Sequence, residues 1–191
     1  YTEPKQAYYQ ARRSYKPVCV SFTEDKDGTR AFLVNDTDKA VAAKIRYGMK
    51  TLDGEIVWEK KAKITAAANG VWSEKVTEAD RGENRYLFVT AEAGKERISA
   101  VYSADMWHGC RFKSEYTYNA EAVGDGVRVT IKAKSFAKGV TLILPDNYKY
   151  SYSDNYIDIE AGEERSVFIG GADKELIEKL VVTDFNKETQ K

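Results

Sequence analysis

An all-β protein is what the sequence predicts: two consecutive β-sandwiches preceded by one short N-terminal α-helix. Three observations carry this reading. Apolar and polar residues alternate with a period of two from Val18 onward; short runs rich in β-branched and aromatic residues recur at regular intervals; and turn chemistry such as DKDG, NDTD, LDGE, AANG and AGKE separates them.

The helix comes first. Pro4 suits a first helical turn, Ala7, Ala11 and Tyr15 recur at i, i+4 and i+8, Tyr8 widens that stripe, and Arg12 and Arg13 lie near the C-terminal end, where cations are favoured. Pro17 stops it. So short a helix is marginal in water by itself, so the face of Tyr8, Ala11 and Tyr15 is expected to dock on something.

Seven strands follow, in VCVSF, RAFLVN, AAKIRYGMKT, EIVWEKKAKI, GVWSEKV, NRYLFVTAE and RISAVYS. Seven short alternating strands at this spacing define a β-sandwich. After the irregular patch ADMWHGCRF a second series begins, with SEYTYNAEAV, GVRVTIKAK, GVTLIL, NYKYSY, NYIDIE and ERSVFIG, then a helical turn in DKELIEKL and a last strand in LVVTDF. The expected organisation is therefore a helix over 1–16, one sandwich over 17–107 and a second over 108–191.

The 30 basic and 30 acidic side chains cancel, so no long-range field toward nucleic acid or a membrane is implied. No apolar run approaches the roughly 20 residues that cross a bilayer. Two cysteines, Cys19 and Cys110, are too few for a disulfide scaffold and read as buried thiols.

Catalytic sets are hard to assemble. His108 is the only histidine and sits in the irregular patch without a nucleophile partner, so it reads as structural. EDKDGTR lacks the closing glutamate of a calcium loop and reads as a hairpin turn; no metal site and no cofactor are expected. Asp154, Asp158, Glu160, Glu163 and Glu164 are carboxylates on a strand edge and a turn, and they read as a solvated rim rather than as the separated pair a glycosidase needs. Aromatics give a better binding argument. Trp72, Tyr148 and Tyr150 offer flat apolar faces on which sugar rings stack, and the spacing of Tyr148, Tyr150 and Tyr152 sets all three on one side of a strand. A sandwich core or an interface requires the same pattern.

The order PKQAYYQARRSYKPV, AFLVNDTDKAV, TLDGEIVWE resembles the passage from the last barrel helix of a β-mannosidase-like enzyme of glycoside hydrolase family 2 into an immunoglobulin-like domain. AKSFAKGVTLILPDNYKYSYSDNYIDIEAGEERSVFI is similar to that family's final immunoglobulin-like domain. The resemblance implies that both sandwiches are immunoglobulin-like and that the chain is a C-terminal, non-catalytic portion whose partner is the barrel domain of the same polypeptide. It further implies that the parent cleaves terminal β-mannosides with two barrel glutamates that precede Tyr1, so that no residue here is catalytic. Carbohydrate and a second copy of the chain are further partners to consider. The rival readings are a carbohydrate-binding module and a tandem adhesion module; nucleic acid and membrane are not expected partners.

Overall fold

A computed structural model of the chain describes residues 3–76, 84–103, 107 and 110–189. Helix α1 (Gln6–Ser14) is followed by β1 (Val18–Asp25), β2 (Gly28–Asn35), β3 (Val41–Thr51), β4 (Ile56–Ala66), β5 (Gly70–Lys75), β6 (Arg85–Ala93) and β7 (Glu96–Tyr102). Then come β8 (Tyr116–Val123), β9 (Gly126–Ala133), β10 (Ala137–Ile143), β11 (Ser151–Tyr152), β12 (Ile157–Ile159), β13 (Glu164–Gly170) and β14 (Val181–Thr183), with a terminal helix α2 (Phe185–Thr189). Two 3-10 turns, Asn147–Lys149 and Lys174–Lys179, interrupt the second series. The all-β expectation holds, including the turn in DKELIEKL.

The chain divides into two compact units. One, the first sandwich, holds β1–β7. Its sheets run β1-β2-β5 and β4-β3-β6-β7, every pairing antiparallel. The β1–β2 hairpin closes over Lys26 and Asp27, with Asp25 pairing Gly28. Gly28 there has φ 107°, a left-handed value that a side chain disfavours. EDKDGTR is thus the hairpin turn expected.

Alternation fixes the core. Ala43, Ile45, Tyr47 and Met49 on β3 point inward with Leu87, Val89 and Ala91 on β6, and Ala31 and Leu33 on β2 meet them from the facing sheet. The NDTD loop is tied by Asn35, which is completely buried. Its amide donates to the carbonyls of Lys39 and Ala67, each at 2.8 Å, and its carbonyl accepts from the Thr37 hydroxyl at 2.7 Å. A loop that an alternation pattern marks only as polar is in this way a fixed corner.

The other unit, the second sandwich, holds β8–β14 together with the chain up to Arg12 and Leu52–Gly54. Its sheets run β12-β10-β14 and β11-β13-β9-β8. Val127, Val129 and Ile131 on β9, Val167 and Ile169 on β13, and Val140 and Leu142 on β10 form the core with Ile157 and Ile159. Tyr9 of α1 belongs to the same core.

The segment SDNYIDI is architecture, as its turn chemistry suggests. Asn155 is buried, and its side chain grips Leu142 of β10 by both backbone groups: its amide donates to the Leu142 carbonyl at 2.9 Å, and its carbonyl accepts the Leu142 N–H at 2.8 Å. Asp158, on the opposite face of β12 from Ile157 and Ile159, accepts from Lys138 at 2.6 Å and from the Gly139 N–H at 2.9 Å.

Three local expectations need correction. Tyr148 lies in the 3-10 turn Asn147–Lys149 whereas Tyr152 is in β11, so the spacing of two does not set the tyrosines along one strand; Asp146, left-handed at φ 54°, breaks the extended backbone just before them. The carboxylates after β12 are not all a solvated rim: Glu160 and Glu163 are buried, and Glu163 meets Arg165 at 2.9 Å. Cys19 and Cys110 are free thiols but only half-buried. His108 lies outside the described residues.

Candidate functional site

Helix α1 presents two different sides. Tyr9 is 3% exposed and enters the core of the second sandwich, its ring 5.9 Å from that of Tyr156. One turn on, the Arg12 guanidinium donates to the Tyr152 carbonyl at 3.3 Å, and Glu3 holds the Asn147 amide. Tyr8 and Ala11, at i and i+3, face away, and Tyr15 lies just past the end of α1. Tyr8 is 53% and Tyr15 88% exposed, and Ala11 is exposed too. The stripe read as a docking face thus stands open, while the residue that anchors the helix, Tyr9, falls outside that stripe.

Burial alters the chemistry of the anchor. It pushes the Tyr9 phenol up from 10.0 to about 12, aided by the neighbouring Tyr156 and Tyr8, and it raises Tyr152 still further. The fold therefore favours the neutral phenols. Their contribution to stability is intact below pH 10, where the unfolded chain also keeps them protonated, and it is lost as pH climbs through the raised values. Urea unfolding followed by circular dichroism should show the second sandwich weakening between pH 10 and 12. Combining Tyr9→Phe with Tyr152→Phe should flatten that slope; an unchanged slope in the double variant would show that these phenols are not its source.

The three aromatics considered for sugar stacking are distributed between the units. Trp72 stands on β5 in the first sandwich, half-buried against the core with its ring 5.7 Å from Tyr47 in an edge contact. Tyr148 and Tyr150 belong to the second sandwich. Tyr148 is 51% exposed beside the Lys149 ammonium, and Tyr150 is half-buried against the core.

Among buried carboxylates, Asp184 is the deepest, with no exposed surface. It receives the Tyr116 hydroxyl at 3.0 Å, the Asn186 N–H at 2.9 Å and, at longer range, the Lys187 ammonium at 3.5 Å. These bonds make it the cap of α2 rather than a poised acid. Among the described residues no group of three His, Cys, Asp or Glu side chains could hold a metal ion. Nor, among the described residues, is any helix long and apolar enough to cross a membrane.

The outward face of the β4-β3-β6-β7 sheet carries a feature that sequence reading missed. At one end it is covered: Phe88 is buried under the Lys50 ammonium, 4.3 Å from the ring centre, and Tyr86 packs on Trp107 at 6.2 Å. Gly48 makes room there, since a Cβ at that position would lie 2.2 Å from the Trp58 carbonyl oxygen. The other end is an open cleft of about 580 Å³ lined by Lys44, Arg46, Lys61, Lys63, Thr90, Glu92 and Arg97 and by parts of Ile45 and Ala62. Only strand register, which a linear sequence does not display, brings these cations together.

Two seven-stranded antiparallel sandwiches, one with Tyr9 of a short helix in its core, define a tandem immunoglobulin-type β-protein. Residues 113–187, the second sandwich, match the model of the family Ig_mannosidase, an Ig-fold domain. Both sandwiches together are similar to part of the β-D-mannosidase of Dictyoglomus thermophilum, with 19% identity and a TM-score of 0.82 over 95% of this chain and 23% of that one. They are likewise similar to part of the exo-chitosanase of Amycolatopsis orientalis, with 18% identity and a TM-score of 0.70 over 94% of this chain and 27% of that one. The chain spans about a quarter of the length of these enzymes. No curated protein matches the sequence. The likeness to the immunoglobulin-like region of β-mannosidase-like enzymes, read from the motifs, is thereby supported at the level of the fold.

Proposed function

We propose that this chain is the non-catalytic accessory region of a β-mannosidase-like glycoside hydrolase of family 2, with a structural role toward the barrel domain of the same polypeptide. The observation that carries this is the helix. Tyr9 and Arg12 fix α1 to the second sandwich, and Tyr8 and Ala11 on it, with Tyr15 just past its end, are left exposed. Large aromatics held open on an anchored helix and just past its end are costly in water and favourable in an interface, where tyrosine is among the strongest contributors. In this reading the barrel covers them, and the hydrolysis of terminal β-mannosides belongs to the barrel.

The test is made in the whole enzyme. Tyr8→Ala combined with Tyr15→Ala should cost roughly 2 kcal/mol or more of stability, since truncating each interface anchor typically costs over about 1 kcal/mol. Turnover of a β-mannoside well below the unfolding temperature should be preserved. A thermal midpoint equal to that of the parent would remove the docking role. The 191-residue chain by itself should release no mannose; hydrolysis by the purified chain would place chemistry here after all.

A further inference from the structure

We infer that the open cleft on the outward face of the first sandwich binds an extended acidic segment of polypeptide. Strand register sets Lys44 directly opposite Lys63, and Arg46 directly opposite Lys61. Like charges placed opposite one another on a sheet are destabilising, so stability does not account for them. Glu59 relieves one pair, accepting from Arg46 and lying 2.9 Å from Lys61. Burial by itself would push the Glu59 carboxyl up, but the bonds from Arg46 and Lys61 outweigh it and hold it below the usual carboxylate range. Lys44 and Lys63 are exposed and make no ion pair among the described residues. Arg97, opposite Glu92 in the strand register, adds a fifth cation to the lining.

Lysines do protect the edges of sheets against pairing, and β4 is an edge strand. That role does not extend to Lys44 and Arg46 on the central strand β3. The geometry of the cations favours a particular ligand. Along each strand the step from Lys44 to Arg46, or from Lys61 to Lys63, is two residues, about 6.7 Å. An extended peptide repeats its own side chains on one face at the same interval, so alternate glutamates meet successive cations. No aromatic side chain lines the cleft to stack on a sugar ring, and this sets a carboxylated glycan behind an acidic peptide. The surface also differs from α1 in position and chemistry, so it does not depend on the docking role proposed there.

A fluorescein-labelled peptide in which glutamate alternates with threonine is the probe, followed by anisotropy with the full chain at low ionic strength. Binding is expected, weakening as salt shortens the screening length from about 30 Å at 0.01 M to about 10 Å at 0.1 M. Lys44→Glu combined with Lys63→Glu should weaken it at least about tenfold, a change of about 1.4 kcal/mol. Lys60→Glu, an equal change of charge on the opposite side of β4, should alter it less than about twofold. The single variant Lys63→Glu removes a like-charge pair, so its thermal midpoint should stand at or above that of the wild type while its affinity falls. Absence of binding by the wild-type chain, an equal loss in Lys60→Glu, or tighter binding of oligogalacturonate than of the peptide would each overturn the proposal.

Discussion

Asn155→Ala is expected to destabilise the second sandwich by about 2–4 kcal/mol. Each buried backbone group left without its partner costs about 1–3 kcal/mol, and this truncation orphans two. β12 pairs β10 only at Ala137 with Ile159 and at Val140 with Ile157. Beyond that point the Asn155 side chain replaces the missing strand, meeting both the N–H and the carbonyl of Leu142. It also caps the left-handed Tyr156 by accepting that residue's N–H at 3.0 Å. Asn155→Asp does not rescue the fold, because a carboxylate cannot donate to the Leu142 carbonyl and brings an uncompensated charge into the core. A domain of this size loses about 4–8 °C of thermal midpoint per kcal/mol, so a fall of roughly 10 °C or more should be read by calorimetry. A loss under about 1 kcal/mol would mean that water takes over both bonds.

Tyr9→Ala should have its effect locally. A buried aromatic truncated to alanine costs about 3–5 kcal/mol when the surrounding structure stays in place. Here the cheaper course is for α1 to leave, because a nine-residue helix has little stability of its own. The expected result is release of Gln6–Ser14, seen as amide exchange at least tenfold faster in the helix and as rapid tryptic cutting after Arg12 and Arg13, while the core strands β9 and β13 keep their protection. Tyr8→Ala, on the open side, should leave both rates within about twofold of wild type. Similar rates in the two variants would remove Tyr9 from its anchoring role.

Those two residues also show what was legible in the sequence. Alternation and turn residues predicted the strands, because a sheet with one buried face imposes a period of two on its side chains. The asparagine of SDNYIDI was legible as turn chemistry, but its grip on Leu142 spans 13 positions, and no local pattern announces it. Helical periodicity chose the Ala7, Ala11, Tyr15 stripe, and only tertiary packing decided that Tyr9, one residue beside it, is the side that is buried. Two neighbouring tyrosines project about 100° apart on a helix, so the doublet supports either face. The cationic cleft was hidden for a different reason. Its lysines and arginines come from β3, β4 and β7, and each strand taken separately is an ordinary polar-out alternation within a chain of balanced charge.

Because Tyr9 precedes the first sandwich in the chain yet completes the core of the second, the order of synthesis matters. All seven strands of β1–β7 leave the ribosome before the first strand that Tyr9 packs against. At about 5–20 residues per second, the hundred or so residues between helix and partner strands take on the order of 5–20 s. Throughout that interval Tyr9 has no second-sandwich core to enter. The strands β1–β7 pair only with one another, so they need not wait for that helix. Among nascent chains arrested at successive points, the one ending just after Tyr102 should accordingly show α1 cut readily by protease, and cutting should slow only in those long enough for β13 to have emerged.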